Sequence, residues 1–325
     1  MTLADWAAES RARFRNLGVR RGVAASANEL WVGALRRAGH RWNYGERIYD
    51  REWDAMLVLD ACRVDLLREV ARDGAFPFLP ERIGTFTSAA SMSAEWMTKN
   101  FGPEFADETA RTAYVSGNPF TRDLDPADFA RLDDVWRYGW DDEFGGVKPR
   151  PVTDRAVAAG RETDADRLLV HYLQPHVPFR SLQEAAIDWG DPEENFGRKN
   201  GAEGAERGPW QRYRDGDLPF DRLWAAYRDN LEWVLDDVGL LLENLDADTV
   251  VVTADHANAM GEWWCYGHPD YAPVPALKRV PWVELSATDE GTYEPTLEPP
   301  EVDADGADDP DDRGVEDRLA ALGYR

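Results

Sequence analysis

The sequence predicts an α/β fold with a mostly parallel central sheet flanked by helices. Three short apolar runs carry that expectation: residues 53–60 (WDAMLVLD), 168–173 (LLVHYL) and 249–256 (TVVVTADH). Each has the length of a strand and is apolar at successive positions, as strands buried on both faces are. The first ends in an acid and the last in an acid and a histidine. A helical pattern follows the first run and another precedes the last. Strand, turn and helix in repeated order mark a parallel sheet with helices on its faces.

Residues 1–50 alternate apolar and basic positions at helical spacing (Trp6, Phe14, Leu17, then Leu30, Trp31, Leu35) and predict two helices, an N-terminal extension. Residues 51–285 predict the principal α/β domain. Within it, 64–71 form a helix after the first strand, and 220–245 form a long amphipathic helix with Leu223, Tyr227, Leu231, Val234 and Val238 on its apolar face. Between the second and third strands, 181–218 is rich in Gly, Asp, Glu and Arg with little periodicity, which predicts a surface insertion or lid. Residues 286–325 predict an acidic mobile tail. Its 286–314 part has too little apolar surface to offset the entropy of ordering, and 315–322 is a short terminal helix with Leu319 and Leu322 on one face.

Composition limits the function classes. In 325 residues, 62 acidic side chains stand against 37 basic ones, for a net charge of -25, and Lys99, Lys148, Lys199 and Lys278 are the lysines. Such a surface is the pattern of adaptation to a salt-rich cytoplasm, as in a halophilic archaeon, where a Debye length of ~3 Å at molar salt screens the self-repulsion. Nucleic acid or an anionic membrane would be repelled unless a local basic patch intervened, so no nucleic-acid partner is expected. Cys62 and Cys265 are too few for a disulfide framework and are expected reduced. With no signal peptide and no run of about 18 apolar residues, a cytoplasmic protein without a transmembrane segment is expected. The oligomeric state is not encoded in any visible pattern.

Of five histidines, His171, His176, His256 and His268 lie at strand ends or in the turns that follow, with His40 the exception. In open α/β sheets ligands bind outside the carboxyl ends of the strands, so Asp60, His171, Asp255 and His256 are expected in one crevice. Carboxylate oxygens with imidazole nitrogens suit a divalent ion, Mn, Zn, Ca or Mg. Any one of these residues alone is better explained as a satisfied polar group at a strand end, and it is the four together that point to a site.

Three segments then carry a resemblance. TADHANAMGEWWCYGHP with the run to KRVPW, residues 253–282, resembles the Asp-His-Gly-Glu signature of the alkaline phosphatase and sulfatase superfamily. VLDACRVDLL resembles its opening strand, and HYLQPHVPF is similar to the histidine loop of sulfatases and lipoteichoic acid synthases. The resemblance implies an alkaline-phosphatase-like three-layer sandwich and a hydrolase or transferase acting on phosphate or sulfate esters, either small molecules or glycan- or lipid-linked. It implies Asp60, Asp255 and His256 as metal ligands, His176 in catalysis, and His171, Arg63 and His268 as substrate contacts. Glu262 is expected to support a metal-bound imidazole. The family's attacking residue falls in TFTSAASMSAEWM, residues 85–97. Aligning Glu95 with the corresponding Glu of the lipoteichoic acid synthase type puts Ser91 at the nucleophile, also ligating the metal, with Ser93, Ser88 and Thr87 as poorer matches. A metal-bound serine hydroxyl would attack phosphorus or sulfur and give a seryl ester that passes to water or an acceptor alcohol.

Departures from the family pattern shape the reading. Ala257 replaces the usual Gly after Asp-His, no Asp-x-x-x-His pair is present for a second metal, and the Cys-x-Pro-Ser-Arg motif of formylglycine formation is absent. Phosphoryl chemistry at a single metal is therefore expected, with a true sulfatase and a catalytically silent anion-binding protein as the alternatives.

Overall fold

The computed structural model describes residues 3–42, 44–183, 208–300 and 312–322. In chain order its principal elements are α1 (Leu3–Gly39), β1 (Ala55–Leu59), α2 (Val64–Asp73), β2 (Gly84–Thr87), α3 (Ser93–Asn100), β3 (Thr112–Ser116), β4 (Arg131–Asp134), α4 (Pro149–Glu162), β5 (Arg167–Tyr172), α5 (Pro209–Asp215), α6 (Phe220–Leu242), β6 (Ala247–Thr253), β7 (Arg279–Ala287) and α7 (Asp312–Ala321). Seven strands form one sheet in the order β2-β7-β6-β1-β5-β3-β4. Strand β7 runs antiparallel to β2 and β6; every other pair is parallel. The expected class, a mostly parallel sheet flanked by helices, is the one the chain adopts.

The three strands read from the sequence are the central ones, which explains their continuous apolar character. All five residues of β1 are buried, as are Leu168–Tyr172 of β5 and 250–253 of β6. Helix α4 packs on β5 and β3, and α6 lies across α4 and α2. Leu223, Tyr227, Leu231, Val234, Leu235, Val238 and Leu241 of α6 are fully buried, each worth about 1.5–3 kcal/mol of transfer from water. Among the described residues, no helix is long and apolar enough to cross a membrane.

The extension, α1, consists of two helical segments joined across Gly18, whose φ of 75° an L residue would resist. Its second half is fastened to the domain. Leu35 packs with Ala259, Cys265, Ala272 and Leu277, Arg36 pairs with Asp270 at 2.6 Å, and the backbone at Gly39 comes so close to the Tyr271 carbonyl that a Cβ there would sit 1.7 Å from its oxygen.

Beyond β7 the tail departs from the expected mobile linker. Buried Asp154 accepts hydrogen bonds from Tyr293 Oη, Thr296 N and Leu297 N at 2.8–2.9 Å, and Arg161 pairs with Asp289 at 2.7 Å. Composition registered the acids of this segment, but not the backbone N–H groups that help to hold it. Residues 301–311 lie outside the described residues. Val315 and Leu319 of α7, and Leu322 just past its end, are buried in the main core, and Arg318 donates to the Trp136 carbonyl at 3.0 Å. Of the expected insertion, 184–207 lies outside the described residues, while its end, with Trp210 and Leu218, joins the core.

Candidate active site

Strand register builds the site. Val58 of β1 is level with His171 of β5 and with Thr253 of β6. Two residues beyond that level come Asp60 and Asp255, so both acids emerge at the same height above the sheet, with His171 one tier below. The turn after Asp60 puts Ala61 at φ 62°, a conformation costing a non-glycine residue about 1–3 kcal/mol. Tyr227 Oη donates to the Ala61 carbonyl and Asn258 supports Tyr227 at 3.3 Å, so packed side chains hold the turn. In this pose the Ala61 amide donates to Asp255 Oδ1 at 3.0 Å.

Asp60, Asp255 and His256 offer ligand atoms that all lie within 4.8 Å of one another, and all three residues are fully buried. His256 Nε2 is 3.5 Å from Asp60 Oδ1 and 3.4 Å from Asp255 Oδ2. Its Nδ1 lies 3.1 Å from the Ala257 carbonyl, which fixes a proton there and turns the lone pair of Nε2 towards the acids. Burial alone would raise the Asp255 carboxyl. His256, His171, the Ala61 amide and the Ser93 hydroxyl outweigh it and hold the group below its ordinary value.

The hydroxyl that completes the cluster belongs to Ser93. Its Oγ donates to Asp255 Oδ2 at 2.7 Å, lies 3.5 Å from Asp60 Oδ2 and is 3.3 Å from His256 Nε2. Ser93 opens α3, so the helix dipole adds a favourable field for negative charge on that oxygen. The expectation that Ser91 fills this position is corrected. Ser91 Oγ lies 2.9 Å from both Glu95 Oε2 and the Pro269 carbonyl, which share its one proton, and accepts from Ala272 N at 3.0 Å. Glu95 also takes the Ser91 and Tyr271 amides and pairs with Lys99. This carboxylate turns Ser91 away from the acids. Ser88 is occupied too, donating to the Asp255 carbonyl at 2.5 Å, while Thr87 lies at the end of edge strand β2.

The histidines form a second group. His176 Nδ1 is 2.7 Å from the Val177 carbonyl and its Nε2 is 2.9 Å from His268 Nε2, while the His268 ring centroid is 4.8 Å from that of His256. Burial pushes His176 down to about 3 and His268 well below its ordinary value, so both imidazoles are neutral at rest. His171 hydrogen-bonds Tyr114 Oη through Nδ1 at 2.9 Å and points Nε2 at Asp255 Oδ2 from 3.7 Å; burial lowers it to about 4. It forms the floor under the acids. Arg63 is held by Asp65 at 2.6 Å, Glu262 at 2.9 Å and the Asn258 carbonyl at 2.6 Å, which makes it a clamp on the 258–262 loop. Glu262 likewise meets Arg63 and the Met260 amide, and not an imidazole as expected.

Sequence reasoning missed Asn118, whose Nδ2 donates to Asp60 Oδ2 at 2.8 Å from the turn after β3. The run TAYVSGNP, a short apolar strand closing in Gly-Asn-Pro, was the available signal.

This donor set fits a divalent cation. Two buried carboxylates side by side are costly without a counter-charge, and three oxygens with one correctly protonated imidazole are the ligands such an ion takes. Beside the cluster opens a cleft of about 640 Å³ between α1, α3, α5 and residues 266–271. Met92 and Ala94, on either side of Ser93, line it together with His268.

No protein-family model matches the chain, and no curated protein does either. Solved structures similar to it include the soluble domain of lipooligosaccharide phosphoethanolamine transferase A from Neisseria meningitidis, at 14% identity over 75% of this chain and 80% of that one, with a TM-score of 0.47. The integral membrane protein of the same name and organism is 12% identical over 86% of this chain and 58% of that one, with a TM-score of 0.48. The C-terminal periplasmic domain of a phosphoethanolamine transferase from Campylobacter jejuni is 13% identical over 71% and 78%, with a TM-score of 0.41. Likenesses this loose carry no chemistry to this chain.

Proposed function

We propose that the chain is a metal-dependent enzyme that cleaves or transfers phosphate esters through a covalent adduct on Ser93. One observation carries the reading: a serine hydroxyl at a helix N-terminus meets two buried acids and an imidazole in a single cluster. Asp60, Asp255, His256 and Ser93 would hold the ion. When bound, it supplies Lewis-acid polarisation and favours the serine alkoxide.

The residues of the chain do the rest. Asp255 accepts the Ser93 O–H and so fixes the orientation of that hydroxyl within the cluster. The bond from Ser93 Oγ to phosphorus forms as the bond to the leaving oxygen breaks, and an incoming water or alcohol reverses the exchange. His268 lines the cleft wall beside Ser93, where the ester would sit, and its ring is held by the contact of its Nε2 with His176. Sulfate hydrolysis by a formylglycine is disfavoured, because both cysteines are buried and neither belongs to the cluster.

The test is turnover of nitrophenyl phosphate diester, phosphate monoester and sulfate by purified protein with Mn²⁺ or Zn²⁺. The reading expects metal-dependent release from a phosphate ester and none from the sulfate. Release from the sulfate alone, or no release with any metal, would refute it.

A further inference from the structure

Helix α1 has two apolar faces. One packs inward through Ala25, Val32 and Leu35. The other points to solvent: Val19, Val23 and Leu30, spaced four and seven residues apart and so aligned along one side, are 73%, 52% and 55% exposed. Ala27 and Ala34 extend the same stripe.

Charge and aromatic content say what covers it. Residues 1–42 carry eight arginines against Asp5, Glu9 and Glu29, within a chain of net charge -25. Arg20 and Arg37 are exposed beside the stripe, Arg41 is exposed just past the end of the helix, and none of the three makes an ion pair among the described residues. Trp31, 42% exposed, donates its ring N–H to the Trp263 carbonyl at 2.7 Å, and Asn28 donates to the Trp264 carbonyl. The helix is thereby latched to a loop that holds Trp263 and Trp264 in the left-handed region, 57% and 41% exposed. Three indoles beside an apolar stripe edged with arginines match the boundary of a bilayer, where indole rings settle at headgroup level and basic side chains meet anionic lipid. A second copy of the chain fits worse, because two-fold pairing would bring the arginine-edged stripe against itself.

We infer that the outward face of α1, with Trp31, Trp263 and Trp264, docks this protein on an anionic lipid surface. The opposite side of the same helix turns Asn28, Val32 and Arg36 into the cleft, so the bilayer would lie along the rim of the candidate active site. That the phosphate ester is itself lipid-borne rests on the function proposed above; the docking does not.

Flotation of the full chain with phosphatidylglycerol–phosphatidylcholine vesicles, and with phosphatidylcholine alone, in ~0.1 M salt tests the inference. The chain is expected to float with the anionic vesicles only. At about 1 kcal/mol per basic residue near a charged surface, the variant combining Arg20→Gln, Arg37→Gln and Arg41→Gln binds on the order of a hundredfold more weakly. Val23→Glu with Leu30→Glu also weakens binding. Failure of the wild type to float, equal flotation of both variants, or a concentration-dependent dimer abolished by Leu30→Glu without any vesicle binding overturns the docking. Turnover of a soluble ester is expected to be the same in wild type and variants, since these residues line neither the cluster nor the cleft. Absent turnover in a wild type that floats would sink the esterase reading alone.

Discussion

Two buried polar clusters meet on either side of one turn, and the serines that belong to them are two residues apart. On the Ser91 side an acid is answered by a base: Glu95 pairs with Lys99, and Lys278 donates with Lys99 to the Ala89 carbonyl. Burial would raise the Glu95 carboxyl, but the bond to Lys99 and the amides of Ser91 and Tyr271 hold it low. On the Ser93 side acid meets acid, with an imidazole between them. The difference teaches that a buried hydroxyl is chemical or structural according to the charges it touches. The Ser91 cluster is complete with the protein's own groups, whereas the Ser93 cluster has the donors of a cation site.

The comparison breaks most sharply at the serines themselves. Ser93→Ala should lower ester turnover on the order of 10³-fold or more, as loss of an attacking group does. Ser91→Ala should keep most of the turnover, and kinetics with both variants decides between them. Next comes metal linkage: at an ion concentration of 100 times Kd, the wild type should gain about 2.7 kcal/mol in denaturant titrations, and Asp255→Asn should gain almost none. Smaller again, Ser91→Ala should cost about 1–3 kcal/mol of stability, because the Ala272 amide and Glu95 lose a buried partner. Equal stability of Ser91→Ala and wild type would contradict its structural role.

The smallest effect concerns pH. Burial, and then the neighbouring Lys99, lower Lys278 to about 8, with Glu95 opposing them. Between about 8 and the unfolded value of about 10.5, the unfolded chain keeps a proton that the folded chain has lost, so this residue makes stability rise with pH across that window. Below 8 both states are protonated and its contribution is flat. Lys278→Met should remove that rise from the difference in unfolding free energy between variant and wild type; an unchanged slope would contradict it.

Much of the site was legible because the sheet made it so. Strands β1, β5 and β6 are central, so both faces are apolar, and the acids and histidines at their ends stood out against them. Strand β2 (GTFT) and β4 (RLDD) are edge strands, with too little buried surface to leave a pattern, and Pro281 hid β7. The choice between Ser91 and Ser93 was not legible, because TSAASMS offers several hydroxyls and only the turn geometry sets their directions. Arg63 and Glu262 were read as site groups by position, yet they spend their charges on each other. The anchoring of 293–297 on Asp154 also escaped composition, since two of its three hydrogen bonds come from backbone amides.

The most direct measurement is a crystal grown with Mn²⁺ and read by anomalous scattering. The account predicts one strong peak within bonding distance of Asp60, Asp255, His256 and the Ser93 hydroxyl. A peak elsewhere, or one coordinated by Ser91 with Ser93 turned away, would contradict it.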